Sequence, residues 1–149
     1  MQRSIKFRAW DKKQEVMIPN DQVMHLEFNK EGIVWLGCWV VVADSQGNPE
    51  QGLHQIEKED LELMQFTGLK DKNGREIYEG DIFDCIYHFD GCKKHKLEVV
   101  YSDEGARFQM KSYGKCHQPN VEKYIWDMTR QEIIGNVYEN PELLRELSK

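Results

Sequence analysis

The chain has 149 residues, of which 40% are apolar and 31% charged, and its formal net charge is −6. This length and balance predict one soluble domain spanning residues 1–149, large enough to bury its own core. No stretch approaches the roughly 20 apolar residues of a membrane-spanning helix, and the negative charge argues against sequence-independent binding to duplex DNA.

The N-terminal residues predict a strand and a short partner strand. Residues 5–10 alternate between Ile, Phe or Ala and Lys, Arg or Trp, which is the period of a strand. After a polar break at 11–14, residues 15–18 are a candidate partner. The opening MQRSIKFRAWDKK has no apolar run after its basic residues, so it is not a signal peptide and we expect a cytoplasmic protein.

The next segment contains the longest apolar run of the chain. Two strands are predicted within 28–43, with Gly32 in the turn between them. Residues 33–42, which include Trp35 and Trp39, are continuously apolar and are expected to be buried on both faces. The stretch DSQGNPEQG at 44–52 is predicted to be a loop because it holds two glycines and a proline. A short helix is predicted within 53–64.

Turn residues then recur at short intervals. Asn73-Gly74 predicts a hairpin with a type I′ turn, since both residues tolerate positive φ, and Glu79-Gly80 predicts a second reversal. Strands are predicted at 82–89, 97–101, 106–113 and 132–138. Residues 121–128 have helical spacing, although a strand remains an alternative there.

The end of the chain predicts a helix. Asn140 is its expected N-cap and Pro141 its first residue, with an apolar stripe of Leu143, Leu144 and Leu147. The regular spacing of strands and turns predicts a mainly β fold, a small barrel-like or sandwich-like domain with a short C-terminal helix.

Four cysteines are present, and in a cytosolic protein they are expected to be reduced. Cys38 lies in the apolar run and is predicted to be a small buried hydrophobe. A zinc hypothesis is open for the Cys and His residues of the segment 85–117, but an odd separation along a strand points two side chains to opposite faces. We therefore expect no bound metal and no cofactor. The residues of this hypothesis are Cys85, His88, Cys92, His95, Cys116 and His117.

No recognised nucleophile motif is present. The glycines at 68, 74 and 80 lack the Gly-Lys-Ser/Thr ending of a phosphate-binding loop, so the stretch QFTGLKDKNGREIYEGD at 65–81 is predicted to be scaffold rather than an active site. Four acidic residues could pair in space, but they lie in or beside turns, where acids are common. They are Asp81, Asp84, Asp103 and Glu104.

One basic group near the N-terminus could bind single-stranded nucleic acid. Trp10 could stack on a base while Arg8, Lys12 and Lys13 contact phosphates. Because the chain as a whole is acidic, the favoured interpretation places Trp10 partly in the core, with solvated basic neighbours along a strand edge. These four residues are the candidate binding residues of the sequence.

Three segments resemble the YopX family of phage and prophage proteins: IKFRAWDKKQEVMI (5–18), LMQFTGLKDKNGREIYEGDI (63–82) and IIGNVYENPELL (133–144). They occur in the family's order and bracket almost the whole chain. The resemblance implies a small β-rich protein acting in the bacterial cytosol. It brings no catalytic residues to this sequence, because the family has no established activity.

The function expected from these observations is a non-enzymatic module that binds a host or phage protein. Trp and Tyr are favoured interface anchors, and net acidity suits a basic partner. Self-association through strand edges stays open, whereas membranes are not expected as partners. Two alternatives remain: a metal-assisted enzyme using residues within 81–117, and a single-strand nucleic-acid binder using the N-terminal edge.

Overall fold

The computed structural model describes residues 4–43, 46, 49–84, 96–113 and 125–145. Most of these residues lie in antiparallel strands, which form three sheets, one of them a half-barrel. The predicted mainly β fold is therefore confirmed. The strands are β1 Phe7–Asp11, β2 Val16–Ile18, β3 Val23–Asn29, β4 Gly32–Ala43, β5 Pro49–Glu57, β6 Leu61–Lys70, β7 Glu76–Tyr78, β8 Asp81–Asp84, β9 Lys96–Ser102, β10 Arg107–Tyr113 and β11 Ile133–Asn136.

Helices are short. In the described residues, three 3₁₀ helices span Asn20–Gln22, Lys58–Asp60 and Ile125–Arg130, and one α-helix, α1, spans Glu142–Arg145. None of the helices in the described part of the chain is long and apolar enough to span a membrane. The helix predicted within 53–64 is wrong, because these residues pair across strands over most of their length.

The chain divides into two compact units, an N-terminal unit of residues 6–64 and a C-terminal unit of residues 1–5 and 65–149. In the N-terminal unit, β1 pairs with β2 and is followed in the sheet order by β6. The strands β3, β4 and β5 form a second sheet. The core of the N-terminal unit contains Ala9, Ile18, Leu36, Cys38, Ile56 and Leu61.

In the C-terminal unit, β6 continues to Lys70 and pairs with β7, while a four-stranded sheet has the order β10-β9-β8-β11. Phe83 is fully buried at the centre of this unit. The alternating pattern of β9, in which Leu97 and Val99 are buried, shows how one strand face supplies the core. The other core residues are Ile77, Met110, Met128 and Ile133.

The hairpin at 65–81 is confirmed, but its turn is not of type I′. Gly74 has φ +83°, whereas Asn73 has no positive φ. Gly74 N–H donates to the Asp71 carbonyl at 3.0 Å, and Asp71 N–H donates to the Arg75 carbonyl at 2.8 Å. This is the three-residue connection in which one glycine forms a bulge. The second reversal at Glu79-Gly80 is confirmed, with Gly80 at φ +78°.

The helix α1 begins where it was predicted, but the Asn140 side chain has a different partner from that of an N-cap. Arg145 N–H donates to the Pro141 carbonyl at 3.4 Å, as expected for a helix beginning near Pro141. The Asn140 side-chain oxygen instead accepts the Asn136 N–H at 3.3 Å, so it joins the helix to the preceding strand. The strands predicted at 97–101, 106–113 and 132–138 are observed as β9, β10 and β11. The part of the predicted strand 82–89 beyond Asp84, residues 121–124 of the segment with helical spacing, and Leu147 lie outside the described residues.

Candidate functional site

The candidate site lies on the outer face of the three-stranded sheet of the N-terminal unit. Side chains alternate along β4, so that Leu36 and Cys38 enter the core while Trp35, Gly37 and Trp39 belong to the opposite face. The expectation that 33–42 is buried on both faces is therefore wrong. Trp39 is 49% exposed, because no described strand covers that face.

Strand register places two acidic residues on either side of Trp35. Glu27 of β3 is the direct partner of Trp35, and Glu57 of β5 is its partner from the other side. Directly paired residues of antiparallel strands project from the same face. A row across the sheet thus reads carboxylate, indole, carboxylate, and both carboxylates are exposed.

The Trp35 indole is held against the sheet by a glycine. A Cβ atom added at Gly37 would lie 3.0 Å from Trp35 Cζ3 and 3.4 Å from His25 Cβ, which is tighter than normal packing allows. The indole also stacks on the His25 imidazole, with ring centroids 4.8 Å apart and an interplanar angle of 27°. The missing side chain at 37 therefore lets the indole lie over the backbone.

Apolar side chains continue the surface beyond the indole. Leu53 of β5 is the direct partner of Trp39 and is 66% exposed. We call this surface the Trp35 face and define it by six residues of one sheet face. They are His25, Glu27, Trp35, Trp39, Leu53 and Glu57.

The charges of the Trp35 face are acidic at neutral pH. The Gln55 amide donates to Glu57 Oε1 at 2.7 Å, which orients one carboxylate, and His25 Nε2 lies 3.9 Å from Glu27 Oε2. Two exposed carboxylates on either side of an indole form a surface that attracts Lys or Arg through charge. Exposed leucine and tryptophan beside it offer apolar contact area.

Sequence reasoning did not find this site. The two glutamates are 30 residues apart in the chain and meet at Trp35 only through strand pairing. The alternation of Trp35 and Trp39 with Leu36 and Cys38 was available as a signal, but all four positions are apolar, so polarity could not tell the two faces apart.

The four basic and aromatic candidates near the N-terminus are not brought together as an exposed patch. Arg8 is buried at 6% exposure and Trp10 is partly buried, while Lys12 and Lys13 are exposed. Lys12 Nζ pairs with Glu62 Oε1 at 3.2 Å. The predicted strand edge is also wrong, because β1 lies between β2 and β6 in the sheet order.

A cysteine, a histidine and an aspartate do come together beneath the Trp35 face. Cys38 is the strand partner of His54, whose Nε2 lies 3.8 Å from Asp11 Oδ2. The thiol is fully buried and donates to the His54 carbonyl at 3.6 Å. Burial, with the Asp11 charge, raises the Cys38 pKa to about 11. A reactive cysteine needs a lowered pKa and access, so Cys38 is a core residue as predicted.

The acidic candidates are separate from each other in their contacts. Asp81 is buried and accepts the Tyr78 N–H at 2.8 Å, Asp84 pairs with Lys96, and Asp103 and Glu104 are exposed in a turn. Within the described ranges, no group of three or more His, Cys, Asp or Glu side chains is placed to hold a metal ion. The six Cys and His residues of the zinc hypothesis lie outside those ranges.

Comparison with known proteins identifies a family and a structural relative. The model of the YopX protein family matches residues 6–145. A search of curated proteins finds no match. The crystal structure of protein EF1440 from Enterococcus faecalis is similar, with a TM-score of 0.63 and 28% sequence identity over 96% of this chain and 99% of that one.

Proposed function

The chain belongs to the YopX family, and we propose that it is a non-enzymatic module that binds a basic segment of another protein on the Trp35 face. The observation that carries the proposal is the position of Trp35 between Glu27 and Glu57 in one row of the sheet. A Lys or Arg of the partner would bind beside the indole, against the exposed carboxylates on either side of it. Each exposed charge pair of this kind is worth about 0.2–1 kcal/mol.

The apolar part of the face supplies the remaining contact area. Leu53 and Trp39 are exposed at 66% and 49% and lie side by side on adjacent strands. Tryptophan is among the side chains that contribute most to binding energy at protein interfaces. The partner segment should therefore carry an apolar residue next to its basic one.

Charge selects among the partners of this face. A second copy would bring Glu27 and Glu57 of each chain together, and like charges in contact oppose association. The net charge of −6 also disfavours a phosphate backbone and favours a basic protein. We propose a host or phage protein as the partner, met in the cytosol of a bacterium that carries the phage or prophage, as the family resemblance implies.

The proposal is tested with an array of short peptides of random composition, probed with the full chain. We expect bound peptides to contain Lys or Arg next to an apolar residue. The double variant Glu27→Gln and Glu57→Gln should lose most of this binding, because both carboxylates become neutral while the exposed side chains keep their shape.

A matched control neutralises two exposed acids away from the face, Asp103→Asn with Glu104→Gln, and should bind as the unmodified chain does. Added salt should weaken the binding, since the contacts are exposed charges. Equal binding by the double variant of the Trp35 face, or bound peptides without basic residues, would overturn the proposal.

A further inference from the structure

The hairpin loop at 71–75, between β6 and β7, contains a chemically unstable pair of residues. Of the seven asparagines of the chain, only Asn73 is followed by a glycine. The backbone nitrogen after an asparagine can attack its side-chain amide, and a glycine there has no side chain to hinder the attack. Asn73 and Gly74 are both exposed, and a Cβ atom added at Gly74 would meet nothing within 4 Å. The reacting atoms are therefore open to water.

The folded loop opposes this reaction. Gly74 N–H donates to the Asp71 carbonyl at 3.0 Å. Asp71 Oδ1 accepts the neighbouring N–H groups of Asn73 at 2.8 Å and Arg75 at 2.9 Å. The Gly74 nitrogen must leave its hydrogen bond to attack, because the reaction takes its proton and uses its lone pair. The rate in the folded chain is therefore set by how often this loop opens.

Asn73 also lies where the loop meets the segment before β11. Its Nδ2 donates to Glu132 Oε2 at 3.5 Å, and Lys72 Nζ pairs with the same oxygen at 2.7 Å. Lys72 N–H donates to the Gln131 carbonyl at 2.9 Å. These contacts connect the loop to β11. An acid at position 73 would lack the amide donor and would bring a like charge to the Glu132 carboxylate.

From these contacts we propose that Asn73 is a site of spontaneous modification by water, and that its conversion loosens the hairpin loop from β11. First, the Gly74 nitrogen gives up its proton and bonds to the Asn73 amide carbon. The bond from that carbon to Nδ2 breaks, and ammonia leaves with the proton. Water then opens the resulting cyclic imide at either of its carbonyls. The products are aspartate and isoaspartate, and no group is oxidised or reduced.

Both products disturb the loop. Aspartate brings a negative charge to the glutamate oxygen that the amide formerly bonded. Isoaspartate leads the backbone through the former side chain, which lengthens the loop by one atom, so that the N–H groups of residues 73 and 75 no longer fit one oxygen of Asp71. The other oxygen of Asp71 accepts the Ile133 N–H at 3.2 Å. The disturbance therefore reaches the first residue of β11.

The test follows the full folded chain at mildly alkaline pH in water enriched in ¹⁸O, with peptide mass mapping of every asparagine. We expect conversion at Asn73 before any of the other six asparagines. It should be roughly tenfold slower than in urea, because the loop must first lose a hydrogen bond. Asp71→Asn should speed conversion in the folded chain, since it weakens the bonds that hold the loop, whereas the exposed control Asp103→Asn should not.

The purified isoaspartate form gives the second readout. Its backbone amides at 71–75 and 131–133 should exchange with deuterium roughly tenfold faster than those of the unmodified chain. Asn73→Asp should lower the thermal midpoint, while Asn73→Gln, which keeps an amide but closes the ring far more slowly, should keep the midpoint and stay unconverted. Conversion elsewhere before Asn73, equal rates in the folded chain and in urea, or unchanged exchange at 131–133 would overturn the inference.

Discussion

Asp71 lies in the loop of the hairpin at 65–81, and its side chain connects that loop to the first residue of β11. Its substitution gives the sharpest stability prediction. The side chain is buried at 6% exposure. Its Oδ1 accepts the N–H groups of Asn73 at 2.8 Å and Arg75 at 2.9 Å, and its Oδ2 accepts the N–H of Ile133 at 3.2 Å. One carboxylate therefore pairs two backbone donors of its own loop and a third at Ile133, which lies 62 residues further along the chain.

The variant Asp71→Asn keeps the shape but changes the hydrogen bonding. If the amide oxygen replaces Oδ1, two bonds survive as weaker neutral ones, and the new NH₂ group faces the Ile133 N–H, donor against donor. The opposite orientation leaves two donors facing the NH₂ group instead. Charged hydrogen bonds are worth about 1.5–3 kcal/mol and neutral ones about 0.5–1.5 kcal/mol, so we expect a loss of about 3 kcal/mol in the free energy of unfolding.

The pH dependence gives a second signature. Burial raises the Asp71 pKa, but the three backbone donors and the Arg75 charge outweigh it, so the pKa lies below its ordinary value of 3.8. Because the pKa is lowered in the folded state, the ionised carboxylate stabilises the fold at any pH above the ordinary pKa. This stabilisation is lost as the pH falls through the folded-state pKa. The difference in the free energy of unfolding between the unmodified chain and Asp71→Asn should be largest at neutral pH and should shrink below about pH 4.

The assay is urea unfolding followed by tryptophan fluorescence, at neutral and acidic pH. Asp103→Asn, at an exposed turn position, is the matched control and should stay within about 0.5 kcal/mol of the unmodified chain. Asp71 does not stabilise the fold as a charged acceptor if Asp71→Asn also stays within this range, or if its loss of stability is equally large at the lowest pH at which both chains fold.

Three further predictions concern the turn, the core and the thiol. Gly74→Val should lower the free energy of unfolding by about 1–3 kcal/mol, because φ is +83° at this position. Asn73→Val should cost less than half of that. Equal losses of the two variants in thermal unfolding would contradict the observed turn. Phe83→Ala, at a fully buried position, should cost about 3–5 kcal/mol in urea unfolding, and a loss below about 1 kcal/mol would mean that Phe83 is not in the core. Iodoacetamide should modify Cys38 only after denaturation, since the thiol is buried with a pKa of about 11, as peptide mass mapping would show; rapid labelling of the native chain would disprove its burial.

Local patterns predicted those elements whose signals are local. The alternation in residues 5–10 predicted β1, and the turn residues at 73–74 and 79–80 predicted the reversals around β7. The turn type could not be predicted from Asn73-Gly74 alone, because the Asp71 carboxylate accepts the N–H groups of Asn73 and Arg75 and fixes the loop in another conformation.

Elements that depend on distant partners were missed. The strand β5 begins at Pro49 within the predicted loop, and it pairs with β4 from Pro49 to Glu57. Proline is tolerated at the first residue of a strand, and the polar residues of β5 include those of the outer face, so composition favoured a loop. The Trp35 face likewise depends on strand register and burial, which a single sequence does not reveal.

Crosslinking from the Trp35 face shows whether a basic partner binds there. A photo-reactive amino acid would replace Leu53, which is 66% exposed beside Trp39, in the chain expressed in bacterial cells. A second chain would carry it at the exposed position Lys111 of the C-terminal unit. We predict a protein adduct that forms from position 53, is absent from position 111, contains a basic segment at the crosslink and disappears when Glu27 and Glu57 are both changed to Gln. Equal adducts from both positions, or an adduct at position 53 that persists in the double variant, would show that the Trp35 face does not bind a basic segment.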